Sequence, residues 1–145
     1  MLNGKKRSGF TIIEIMVVVV IIGMLAAIII PRTTHNVDEA RITSTKAQIV
    51  QIGSTLQMYH LNNGFFPTTD QGLKALIEKP TTPPEPKNYP RGGYMSSRTT
   101  PQDAWGNDFI YRYPGERDEY DIISLGADGK EGGEGVNADI FNGMI

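Results

Sequence analysis

Lys5-Lys6-Arg7-Ser8-Gly9-Phe10-Thr11-Ile12-Ile13-Glu14 opens into an apolar run that continues through Ile30, and the reading of this stretch decides the architecture. About 20 predominantly apolar residues cross the hydrocarbon core of a bilayer as a helix, rising roughly 1.5 Å each. Residues 10–30 meet that length. The three cations ahead of the run hold the N-terminal side in the cytoplasm, so the remainder of the chain faces outward. An ordinary secretory signal has a shorter apolar stretch followed by a small-residue cleavage site. Here Ala26 and Ala27 are followed by Ile28, Ile29 and Ile30, whereas the small residue Gly9 stands between the charges and Phe10. Cleavage after Gly9 would leave the membrane helix on the product.

Glu14 lies inside the spanning run. An ionised carboxylate there costs about 2.5 kcal/mol or more unless it is paired. Cleavage after Gly9 would create an α-amino group on Phe10, a cation that Glu14 can neutralise in its own chain or in a neighbour. A buried charge then becomes an assembly device. The plainer alternative is a glutamate that snorkels from the helix end to the lipid headgroups, and the two readings are compatible.

With Gly9, Phe10 and Glu14 in these positions, the segment resembles the class III signal of type IV pilins and pseudopilins. The resemblance implies that a prepilin peptidase removes residues 1–9 and N-methylates Phe10, and that Phe10 and Glu14 guide assembly.

Beyond the apolar run, Val37, Ile42, Ile49, Ile52, Leu56 and Tyr59 recur mostly at helical spacings and form an apolar stripe. The helix is expected from about residue 11 to 61, ending at Asn62-Asn63-Gly64. Pro31 removes an amide donor and Gly23 is a weak helix former, so the stretch between them is expected to be the least stable, with a kink or local extension on assembly. Thr68, Thr69 and Asp70 can cap a short helix running to about Glu78. Residues 81–90, with Pro83, Pro84, Pro86 and Pro90, read as an extended connecting loop. The runs 108–113 and 119–125 flank Pro114-Gly115 as a hairpin would, and Tyr94 with Met95 is a candidate for a further strand. Such a sheet would pack on the second half of the helix. Pro101, Asp103, Trp105 and Gly106 read as a structured turn anchored by Trp105.

Phe66-Pro67-Thr68-Thr69, Gln71-Gly72-Leu73, Pro101-Gln102-Asp103-Ala104-Trp105-Gly106 and Ser124-Leu125-Gly126-Ala127-Asp128-Gly129 extend the likeness over almost the whole chain, which resembles the major pseudopilins of type II secretion systems. Phe66 stands where tyrosine is common in that family. The implied fold is α+β and type IV pilin-like: a long N-terminal α-helix packed on a small antiparallel β-sheet, with a C-terminal calcium-binding loop. The implied division is a leader at 1–9, a transmembrane and filament-core helix at 10–30, and a periplasmic globular domain at 31–145. Such a subunit sits in the bacterial inner membrane as a single-pass protein. It polymerises into a periplasmic pseudopilus that drives secretion of folded proteins across the outer membrane. The implied partners are further copies of itself, minor pseudopilins, the prepilin peptidase, and the inner-membrane assembly platform with its ATPase. A type IV pilin for adhesion or DNA uptake shares the N-terminal half, but such pilins usually carry a C-terminal cysteine pair, and this chain has no cysteine.

Residues 128–139 form a glycine-rich acidic loop after a strand. Calcium takes six to eight oxygen ligands from carboxylates, carbonyls and water. Lys130 and Gly132 break the EF-hand template, so spacing alone leaves a solvated acidic loop as the competing reading. Family resemblance favours calcium, and implies side-chain ligands from Asp128 and Asp139 with carbonyl ligands from Leu125 and Val136. Glu131, Glu134 and Asn137 are possible substitutes.

The remaining chemistry is sparse. A net charge of -2 in 145 residues gives no global basic field for nucleic acid. His35 and His60 are 25 residues apart, about 37 Å at helical rise, too far to share a site. No phosphate loop, nucleophile elbow or metal-spaced histidine pair is present. The expectation is a structural protein without enzyme activity or small-molecule substrate.

Overall fold

A computed structural model describes residues 9–145 of the chain, with side chains described except at 27–36. Lys5, Lys6 and Arg7 therefore lie outside the described residues, as do the side chains of Ile28, Ile29, Ile30 and Pro31. The chain forms two compact units, Met1–Val37 and Asp38–Ile145. Helix α1, Ile12–Asn63, belongs to both. It is one helix through the stretch between Gly23 and Pro31.

In the first unit α1 begins with a side-chain cap: the amide N–H of Glu14 donates to Thr11 Oγ1 at 3.3 Å. This is half of a Thr-x-x-Glu capping box. Every described side chain from 9 to 26 is exposed, including Phe10 at 79% and Ile12 at 83%. Among the described residues no helix is long and apolar enough to cross a membrane.

The second unit is organised by the stripe Ile42, Thr45, Ile49, Ile52, Leu56 and Tyr59. Ile49, Ile52, Leu56 and Tyr59 are buried, with Ile42 packed against them. Val37, expected on the same stripe, is half exposed and belongs to the first unit. α1 stops where the sequence directs it: Gly64 takes φ +82° and its N–H donates to His60 O at 2.7 Å. The stop residues also hold the proline-rich loop, since Asn88 N donates to Asn63 Oδ1 at 3.1 Å and Asn88 Nδ2 to Asn62 O at 3.0 Å.

Three short antiparallel strands face the stripe: β1 Ile110–Arg112, β2 Asp121–Ser124 and β3 Ile140–Phe141, in the order β1-β2-β3. Tyr111 is opposite Ile122, and Ser124 is opposite Ile140. Every residue of the central strand β2 is buried. Tyr94 and Met95 form no strand, because both amides converge on one acceptor, Leu76 O, at 2.7 and 3.1 Å. The third strand comes instead from β3, which makes residues 125–139 the connection between two paired strands. The expected short helix is a turn followed by a 3-10 helix, Leu73–Leu76. Thr68 and Gln71 cap the turn reciprocally at 3.1 and 3.2 Å, but Gly72 at φ 59° and ψ -167° interrupts any α-helical continuation.

Burial, reinforced by neighbouring tyrosines, pushes the phenols of Tyr59 and Tyr89 up from 10.0 to about 12, and raises that of Tyr111 as well. A folded-state value above the unfolded one contributes stability that is whole below the unfolded value and is lost as pH rises through the folded value. The denaturant midpoint of the second unit should therefore hold steady on approach to pH 10 and fall between pH 10 and about 12. Denaturant titrations across that window check it, and a flat midpoint would contradict the burial of these phenols.

Candidate functional site

The connection between β2 and β3 leaves the sheet at Leu125 and returns at Asp139. Its neck is closed by backbone, with Ala127 N–H donating to Val136 O at 2.9 Å. Gly126, at φ +67°, crosses against the backbone of residues 136–138 so closely that a Cβ would lie 2.8 Å from Val136 O. Gly133 is packed as tightly, with its would-be Cβ colliding with Asn137 O. Only glycine fits at either point.

The four residues expected to bind a cation differ in their surroundings. Leu125 is half-buried at the end of β2. Asp128 is exposed and its Oδ1 accepts from Lys130 N–H at 3.1 Å. Val136 lies in a 3-10 turn, Gly135–Asn137. Asp139 is half-buried; its Oδ2 accepts from Gly132 N–H at 3.0 Å, while Oδ1 is buried with no hydrogen-bond partner among the described residues. Buried carboxylate oxygens are expensive to leave unpaired. An oxygen with free lone pairs, held from solvent beside a tight glycine turn, suits a hard cation. Asp139 Oδ1 therefore has the chemistry of a calcium ligand.

Leu125 and Asp139 line one small cleft of about 160 Å³ with Glu131, Glu116, Arg112 and Arg117. Asp128 does not line it. Both guanidinium groups have other engagements: Arg112 pairs with Glu116 at 3.2 Å, and Arg117 lies 4.5 Å above the ring of Phe141. Among the described residues, no three acidic, histidine or cysteine side chains gather as a metal-holding group. Two aspartates would need backbone carbonyls to complete a shell.

Sequence reasoning missed what supports the loop. Asp103 is buried, and its Oδ1 accepts from Trp105 N–H at 3.0 Å and Asn107 N–H at 2.8 Å. Its Oδ2 accepts from Ser124 Oγ at 2.6 Å. Thr45 on α1 accepts from Ala104 N–H at 3.2 Å, so the turn is tied to the helix as well. Pro101, Asp103, Trp105 and Gly106 marked the turn, but no spacing marked its tie to residue 124.

At the other end, Gly9 and Phe10 are exposed, directly ahead of the capped first turn that carries Glu14. A processing motif at the N-terminus, a helix that opens with an uncovered apolar surface, and a small sheet packed on the helix's second half together define a pilin-like subunit. The prokaryotic N-terminal methylation motif matches residues 4–30. The family model for type II secretion system (T2SS), protein G matches residues 32–143. The chain belongs to the type II secretion system protein G family. It is 49% identical to the type II secretion system core protein G of Vibrio cholerae, over 97% of this chain and 94% of that protein. With the core protein G of Pseudomonas aeruginosa it shares 49% identity over 95% of this chain and 96% of that one. The crystal structure of the major pseudopilin from the type 2 secretion system of enterohaemorrhagic Escherichia coli is similar, with a TM-score of 0.66 and 44% identity, covering 76% of this chain and 92% of that chain.

Proposed function

We propose that this chain is the major pseudopilin of a type II secretion system, a structural rather than catalytic subunit that polymerises into a periplasmic pseudopilus. The observation that carries the reading is likeness along nearly the full length to core protein G relatives, including the methylation motif. The uncovered apolar surface of residues 9–26 supports it physically, since a contiguous apolar surface of that size needs lipid or neighbouring subunits to cover it. Residues 10–30 would lie in the inner membrane before assembly and in the filament core afterwards, with residues 31–145 in the periplasm. Prepilin peptidase would cut after Gly9 and methylate Phe10. The assembly platform with its ATPase would supply the energy, and minor pseudopilins would join the same filament.

Calcium is the proposed ligand of the loop, held by the side chains of Asp128 and Asp139 and the carbonyls of Leu125 and Val136. Bound there, it would neutralise the carboxylates and cross-link the two ends of the connection. Asp139 Oδ1, buried without a hydrogen-bond partner among the described residues, is the best support among these atoms.

Deleting the gene for this chain and assaying the culture medium tests the role. Folded enzymes normally released should accumulate in the periplasm, with recovery when the full chain is supplied. Undiminished secretion together with loss of surface filaments would favour a type IV pilin for adhesion or DNA uptake.

A further inference from the structure

We propose that Asn107 is the positioning residue of the cation loop, an inference that rests on the calcium reading above. Two successive peptide planes cross the neck of the loop, and each is held by a side chain. The first joins Leu125 to Gly126 and carries the Leu125 carbonyl. Its N–H, on Gly126, donates to Ser124 Oγ at 3.3 Å. The second joins Gly126 to Ala127. Its carbonyl accepts from Asn107 Nδ2 at 2.8 Å, and its N–H donates to Val136 O at 2.9 Å. Asn107 thus sets the tilt of the plane whose far edge locates Val136. The same amide lies beside Gly129, where an added Cβ would stand 3.6 Å from Asn107 Oδ1.

Asn107 can do this because it is itself held. Its N–H donates to Asp103 Oδ1 at 2.8 Å, and its carbonyl accepts from Asp103 N–H at 2.9 Å. Asp103 Oδ2 reaches Ser124, so one buried carboxylate organises both clamps. Rigidity passes from the turn to the loop through side chains that touch no proposed ligand atom. Groups bonded directly to metal ligands are worth about 10 to 100-fold in affinity, and Asn107, one bond further out, acts at the low end of that range.

Calorimetric titration of calcium chloride into the full chain in detergent micelles tests the proposal, alongside thermal unfolding in calcium and in chelator. Asn107→Leu keeps the bulk of the side chain without its donor, and Asn107→Ala removes both. Each should weaken calcium binding by about 10-fold or more, while shifting the melting temperature in chelator much less than in calcium. Unchanged affinity in a folded variant, or equal melting losses in calcium and chelator, would show a merely structural hydrogen bond and overturn the proposal. A parent chain that gives no calcium heat and no calcium-dependent melting shift would sink the calcium reading itself, and the role of Asn107 with it.

Discussion

Asp139→Ala should abolish calcium-dependent stabilisation while leaving the calcium-free protein nearly as stable as the parent. The two conditions separate because the two oxygens of Asp139 do different things. Oδ2 accepts from Gly132 N–H at 3.0 Å, a bond to a charged group at the rim of the loop that contributes about 1.5 to 3 kcal/mol at most. Oδ1 is buried without a hydrogen-bond partner among the described residues, and its desolvation opposes that gain. In chelator the two effects offset, and the variant should melt close to the parent. If calcium binds as proposed, the parent should gain RT ln(1 + [L]/Kd) in its presence, about 4 kcal/mol when the ion is a thousandfold above its dissociation constant. The variant forfeits all of it.

Asp128→Ala should behave in the same way and also melt close to the parent in chelator, since Asp128 is exposed and its Oδ1 accepts only a local bond from Lys130. Melting curves with calcium, with magnesium and with chelator make the comparison. Magnesium keeps several of its waters and demands a stricter octahedron, so it should substitute poorly. An Asp139→Ala loss of equal size in all three media would assign the carboxylate to loop packing.

What could be read in advance follows the range of the interactions involved. Helix α1 announces itself because Ile49, Ile52, Leu56 and Tyr59 repeat at helical intervals, and Asn62-Asn63-Gly64 stops it locally. Strand β3 is only two residues long, Ile140–Phe141, and two residues show no periodicity. Tyr94 and Met95 look more strand-like in sequence, but Leu76 O takes both of their amides. The candidate loop shows the same division. Its glycines, acids and position after a strand are legible, whereas the bond from Asn107 to Gly126 joins segments that no motif spacing connects. Thr45 sits on an otherwise apolar stripe for the same reason: its hydroxyl meets Ala104 N–H, a partner far along the chain.

At the N-terminus the expected result is that Glu14→Gln and Glu14→Ala both yield a processed, membrane-inserted subunit that enters filaments poorly, with filament yield down about tenfold. That corresponds to about 1.4 kcal/mol in the docking equilibrium, less than the penalty of leaving an ionised group unpaired in an apolar core. The glutamine variant is the informative one, because Glu14 has a second role within its own helix. Its N–H is capped by Thr11 Oγ1, and its acidic side chain lies in the first turn of α1, where the helix dipole favours a negative charge. Glutamine can fill the same position of a capping box, so it preserves the start of the helix and removes only the charge. If pairing with the α-amine of Phe10 drives docking, glutamine should fail as badly as alanine. Filaments of normal yield from Glu14→Gln, with few from Glu14→Ala, would assign the residue to capping the helix and would sink the pairing.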